Sequence, residues 1–327
     1  MSPISKVPQA VLVSVTSLAL TLGAATAVVA SADPRPAGDS LDASLDSSVA
    51  AAMTAERGGA AQAYFQSDSV PRPLVEPKRS DAAGEWAFGT AVIPIPGDAR
   101  QKHGSPEAGI FLARLDGRTW QVAFDGSPEF RALAAKAPES VLSADERNLF
   151  TQSPADSAAA ATATGLALPW SQGSIWPMGG GPHGYSGSTR PFSSLDFGGS
   201  GSVRSAGPGK VYKSCVKNGS ALVTVVHNNG YRTSYYHMTN LTNLADGASV
   251  DTGTYLGATG TALPCGGSAN GAHVHFSLLS GTSYVSVHGK TIGGWTFYEG
   301  SQAYRGYAER NGTKVYPGGR LTNYGVS

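Results

Sequence analysis

Frequent interruption by glycine and proline, 42 and 20 of the 327 residues, limits this chain to short elements. Glycine supplies the positive φ that tight turns need and proline pre-sets turn geometry, so the pattern predicts short strands joined by many turns and a mostly β architecture. With 41% hydrophobic and 14% charged residues the chain has material for about two compact domains, and it is neither a coiled coil nor wholly disordered.

The first segment reads as an address rather than a fold. Lys6 precedes an apolar run from Ala10 to Ala30 that closes on Ala30-Ser31-Ala32 before Asp33-Pro34. This predicts a signal peptide over residues 1–32, cleaved after Ala32, and an exported chain. The run is about long enough to span a bilayer, but the small-residue cleavage motif favours removal, and no later stretch is apolar enough to cross. The mature protein is therefore expected to be secreted, without stable membrane association. In that setting Cys215 and Cys265 favour one disulfide over two free thiols. Closing a loop of about fifty residues would stabilise the fold by about 4 kcal/mol on the chain-entropy model.

Composition divides the remainder. From Asp33 to about Arg79 it is rich in Ala, Ser and Asp and is expected to be loosely ordered. A small α+β unit should follow within residues 33–150. Trp86 to Ile95 reads as a strand, and Ile110 to Leu115 joins Arg118 to Phe124 through Asp116-Gly117, a hairpin signal. Ser127-Pro128 and the capping-box pattern Ser143-Ala144-Asp145-Glu146 each start a helix. Residues 151–165, TQSPADSAAAATATG, have almost nothing to bury and read as a linker. Residues 166–327 are richer in Gly, Tyr, Ser and Asn and hold six of the seven histidines. Charge follows the same division, with 12 basic against 18 acidic residues over 33–165 and 11 against 5 over 166–327.

A catalytic zinc takes three protein ligands and keeps one position open, and His and Asp are suitable donors. Candidates are His183 in GGGPHGYSG, Asp196 in SSLDFGG, and His273 with His275 in GAHVHFSLL. The alternation His273-Val274-His275-Phe276 predicts a strand with both imidazoles on one face and the apolar residues in the core. A second hairpin is expected around Asn229-Gly230, with His227 opposite Arg232 and Leu222 opposite His237. That register sends His227 and His237 to opposite faces, too far apart for one metal, and puts His237 on a face with Tyr231, Thr233 and Tyr235. His103 and His288 lack a ligand-like context and read as structural or surface residues.

Taken together, HGYSGSTRPFSSLD, SYYHM and AHVHFSLL resemble the staphylolysin and beta-lytic metalloendopeptidases, relatives of lysostaphin, over about Leu166 to Tyr304. The resemblance implies an antiparallel β-sheet catalytic domain with long loops, preceded by a pro-domain. It implies one zinc held by His183, Asp196 and His275, with His237 and His273 acting around the water and Tyr304 facing the metal from GSQAY. It also implies a Cys215–Cys265 bridge. The expected activity is hydrolysis of glycyl bonds in peptidoglycan cross-bridges or glycine-rich proteins. The acidic 33–150 region would serve as an intramolecular inhibitor of a basic enzyme. No nucleic-acid partner is expected, and the chain should be a monomer. Two other readings are an inactive wall-binding or activator protein and a D-Ala-D-Ala carboxypeptidase with the same ligand types. Similar enzymes carry a second disulfide near the C-terminus; no cysteine follows Cys265 here, so a looser or differently folded tail is expected.

Overall fold

The computed structural model describes residues 38–100, 103–152 and 162–327. The expected signal peptide, residues 1–32, and the central part of the expected linker, 153–161, lie outside them. No described helix is long and apolar enough to cross a membrane.

Helix α1 (Gly38–Phe65) corrects the expectation of a loosely ordered start. It buries Leu45, Val49, Met53, Arg57, Ala61 and Phe65, a row at every fourth residue. Residues four apart stack on one helix face, so a narrow stripe suffices once a sheet lies beneath it. The surrounding alanines, good helix formers with nothing to bury, hide that stripe in the composition. The sheet beneath is β1 (Leu74–Ser80), β2 (Trp86–Ile93), β3 (Glu107–Asp116) and β4 (Thr119–Phe124), antiparallel in that order. Ala87, Ala91, Ile93, Phe111 and Ala113 face α1. Trp86, Phe88, Ile110 and Leu112 face the other way. Asp116 pairs with Thr119, so the turn residues are Gly117 and Arg118, one place later than expected. Gly117 has φ 61, as a type II′ turn requires of its first central residue.

Both helix starts lie where the sequence puts them. The Ser127 hydroxyl accepts the Phe130 amide at 3.0 Å at the head of α2 (Pro128–Ala134). Ser143 and Glu146 complete a capping box on α3 (Ala144–Thr151). Glu146 is buried and also accepts hydrogen bonds from both terminal nitrogens of Arg79 and from the Tyr212 hydroxyl. A cap thus doubles as a tie to the second half of the chain.

That half contributes β5 (Ile175–His183), β6 (Ser194–Gly198), β7 (Ser202–Arg204), β8 (Gly209–Lys217), β9 (Ser220–His227), β10 (Tyr231–Tyr236), β11 (Ser249–Val250), β12 (Tyr255–Ala258) and β13 (His273–Ser280). Then come β14 (Ser283–Tyr284), β15 (Thr291–Ile292), β16 (Trp295–Glu299), β17 (Gly306–Arg310), β18 (Thr313–Val315) and β19 (Arg320–Thr322). The main sheet runs β11-β8-β9-β10-β13-β6-β5-β19, with β14 also on β13; β15 to β18 form a smaller sheet. One core under both sheets holds Leu195, Phe197, Tyr235, Val274, Phe276, Trp295 and Phe297.

The β9–β10 hairpin differs from expectation by one residue. Arg232 lies opposite Val226, not His227, so the loop is Asn228-Asn229-Gly230. Gly230 at φ 84 closes a three-residue loop, which Asn-Gly serves as readily as the two-residue turn. His227 is buried, its Nδ1 3.1 Å from the Pro208 carbonyl and its Nε2 2.8 Å from the Thr233 hydroxyl, a structural residue.

The C-terminal tail is held without a second disulfide. Buried Asn323 bonds to Leu168 and Trp170, the Gly165 amide donates to the Ser327 carbonyl, and β19 pairs with β5. Residues 162–165, expected in the linker, join this layer: Thr164 donates to the Thr291 carbonyl through both its amide and its hydroxyl.

The outer face of β1 to β4 lies against β8 and β9. Phe88, Phe130 and Phe150 enclose Tyr212, with ring centroids 5.8 and 5.9 Å from it for Phe88 and Phe150. Beside this apolar patch Asp125 pairs with Arg232 and Arg57, both carboxylate and guanidinium groups buried. Glu107 accepts the Tyr185 hydroxyl at 2.6 Å.

Candidate metal centre

Cross-strand register brings the donors together. His275 on β13 lies opposite Asp196 on β6, so the two side chains emerge side by side on one face. Val274 and Phe276 point into the core, as the alternation predicts. His183 comes from the end of β5, whose register with β6 slips twice between Met178 and His183. Such irregularities re-aim a side chain next to a site. Gly180 permits the close approach, since a Cβ there would meet Asp196 Oδ2 at 2.8 Å and the Tyr304 ring at 3.1 Å.

His183 Nε2, His275 Nδ1 and Asp196 Oδ1 converge, with separations of 3.2, 3.0 and 3.4 Å. A point equidistant from all three lies about 1.9 Å from each, so an ion slightly off their plane sits at the usual zinc–nitrogen and zinc–oxygen lengths of about 2.0–2.2 Å. The His183 Nδ1 lies 2.7 Å from the Gly181 carbonyl; with the proton there, Nε2 presents its lone pair to the other donors. Three acceptors so arranged call for a cation. Burial alone would raise the Asp196 carboxyl, but His183 and His275 outweigh it and hold the group well below the usual carboxylate range. Burial, only partly offset by Asp196, lowers His275 to about 4. Both groups are in their ligating forms near neutrality. Among the described residues this is the one His/Cys/Asp/Glu group with ligand atoms close enough for a metal.

His237 and His273 stand beside the three donors, with ring centroids 4.8 Å apart. Strand alternation would leave His237 on the core side with Tyr231, Thr233 and Tyr235. Its left-handed φ of 67 ends β10 and turns the ring instead towards His273 and His275, 6.2 Å from the latter. Its Nδ1 lies 3.2 Å from the Ala262 carbonyl, and that of His273 2.9 Å from the Gly271 carbonyl. Each is thereby held with Nε2 as the acceptor. Burial first, then His275 and His273, lower His237 to about 3, so it is neutral at physiological pH.

Tyr304, also left-handed at φ 64, stacks on His183 with centroids 4.1 Å apart. Its amide donates to the Pro182 carbonyl at 3.1 Å, and burial with nearby Asp196 raises its phenol, keeping it protonated. The Cys215–Cys265 bridge is present and ties β8 to the 259–272 loop that carries the Ala262 and Gly271 carbonyls. His288 stays apart, accepting the Glu299 amide. His103, read as a structural or surface residue, is exposed and lies at the rim of the cleft, 3.2 Å from the Ser268 hydroxyl. Sequence patterning gave no sign of that, because the contact spans 165 residues. Tyr185, two residues after His183 in HGYSG, was likewise missed as the partner of Glu107.

Residues 193–287 match Peptidase family M23. Protease LasA of Pseudomonas aeruginosa is 36% identical over 153 residues, covering 42% of this chain and 35% of that protein. The beta-lytic metalloendopeptidase of Lysobacter enzymogenes is 29% identical over 163 residues, covering 45% of this chain and 89% of that protein. Among solved structures, the M23 metalloprotease pseudoalterin from the deep sea is 34% identical with a TM-score of 0.43, covering 48% of this chain and 97% of that one. The chain thus spans about a third of the length of the LasA relatives it matches.

Proposed function

Because the chain belongs to Peptidase family M23, we propose that it is a secreted zinc metalloendopeptidase, made as a precursor, that hydrolyses glycyl peptide bonds in peptidoglycan cross-bridges. The convergence of His183, Asp196 and His275 within hydrogen-bonding distance of one another carries the reading. Zinc bound there would polarise the scissile carbonyl and acidify water, leaving proton transfer to the protein.

His237 and His273 present Nε2 acceptors next to the donor triangle. They orient the attacking water, take its proton and return one to the leaving amine, as positioned general bases and acids do. The protonated Tyr304 phenol, pinned against His183, donates to the oxygen on which negative charge develops. In this scheme residues 33–150 are the pro-region, bound over β8 and β9 until removed, and the working enzyme is a monomer.

Mass spectrometry of fragments released from purified, cross-bridged peptidoglycan tests the reading. Internal cleavage exposing glycine amino termini supports it. Release of free C-terminal D-Ala would favour the carboxypeptidase, and binding without cleavage the inactive wall-binding protein.

A further inference from the structure

One wall of the cleft comes from the N-terminal half of the chain. His103 and Gly104, from the segment between β2 and β3, line it beside Asp196, His237 and His273. The described residues of that segment are held mainly through backbone. The Ile95 amide donates to the Cys265 carbonyl at 3.0 Å, His103 forms a parallel bridge with Ser268, and the Ser105 amide donates to the Tyr185 carbonyl at 2.7 Å. Gly104, between the last two contacts, has φ 114, which L residues rarely adopt. A Cβ built on it would collide with the Tyr185 carbonyl oxygen and stand 2.7 Å from its carbon and 3.0 Å from the Ser186 Cα. The obstruction is backbone and cannot swing away.

We propose that the strip between the Tyr185 carbonyl and Ser268 is the groove that holds an extended substrate peptide, that one of its positions admits glycine alone, and that His103-Gly104-Ser105 fills it as an internal pseudosubstrate. This rests on the peptidase reading of the metal centre and adds the groove, its occupant and the origin of its selectivity. Main-chain hydrogen bonds recognise any extended peptide, so discrimination falls to the position without room for a side chain. The segment also acts at the high effective concentration of a tethered ligand, so free substrate cannot displace it readily.

The test uses the full chain carrying Gly104→Ala, or Ser105→Pro, which removes the amide that Tyr185 accepts. Hydrogen exchange is read at the Ile95 amide in both variants and at Ser105 in the first, alongside hydrolysis of a glycyl peptide. Either substitution should speed exchange at least about tenfold at these amides, leave the β2–β3 amides protected, and raise hydrolysis by the uncleaved chain at least about tenfold. An acetylated peptide of residues 103–108 added to the Gly104→Ala chain should suppress that hydrolysis and bind in calorimetry. The same peptide with alanine at 104 should bind at least about tenfold more weakly. Wild-type exchange in both variants, or equal binding of the two peptides, overturns the proposal. If no form hydrolyses anything, the peptidase reading fails, whereas exchange and calorimetry still decide whether the groove is there.

Discussion

Replacing His227 by Gln should flatten the acid side of the stability profile without touching the metal centre. The imidazole is buried between Pro208 and Thr233, and burial, partly offset by its hydrogen bonds to the backbone of Pro208 and Gly207, lowers it from 6.5 to about 4. A base held neutral in the fold binds its proton on unfolding at any pH between those values. Its linkage is therefore absent above about pH 6.5 and destabilises progressively as the pH falls towards 4. At about pH 5 the loss amounts to about 2 kcal/mol, approaching about 3 kcal/mol at lower pH. Glutamine keeps a polar group near Thr233 but does not titrate. Urea unfolding of the metal-free wild type and variant, at about pH 7.5 and about pH 5, separates this effect from other histidines, which both proteins share. The wild type should lose about 2 kcal/mol more than the variant between the two conditions. Equal losses would refute the assignment of His227 as a buried neutral residue.

Alanine at His183 or His275 should abolish metal binding and hydrolysis together, whereas His237→Ala and His273→Ala should retain the metal by elemental analysis and lose about 10²–10⁴-fold in kcat. Asp125→Ala leaves Arg232 buried without its carboxylate and should destabilise the full chain by about 3–5 kcal/mol in urea unfolding. Reduction of Cys215–Cys265 should lower the Tm, the bridge being worth about 4 kcal/mol on the chain-entropy model. A chain nicked within residues 153–161 should stay inhibited in about 1 M salt, where screening acts over about 3 Å; relief by salt would mean that charge, not the Phe88-Phe130-Phe150 patch around Tyr212, holds the halves together.

That last expectation departs from the charge asymmetry in the sequence. Of the contacts across the halves, Asp125–Arg232 has the predicted sign and is buried, Asp145–Lys210 has it but is exposed on the acidic side, and Lys78–Asp246 runs the other way. Net charge reports the surface, whereas the interface is decided by apolar residues whose partners lie far away in sequence. The same distinction governs the rest. His273-Val274-His275 was legible because strand alternation is local, and so were the Ser127 and Ser143 caps. Helix α1 was hidden because its stripe needs the sheet to give it meaning. The turn of His237 into the site depends on a single left-handed residue, which periodicity does not reveal.

Calorimetric titration of zinc into the chelated full chain, wild type against Asp196→Ala, addresses the metal centre itself. Asp196 Oδ1 is the atom close to both His183 Nε2 and His275 Nδ1, and it brings the only negative charge to the triangle. The wild type should bind one zinc per chain, and the variant should lose at least about a hundredfold in affinity. One-to-one binding of undiminished affinity in the Asp196→Ala chain, or no binding by the wild type, would contradict the metal centre on which the account rests.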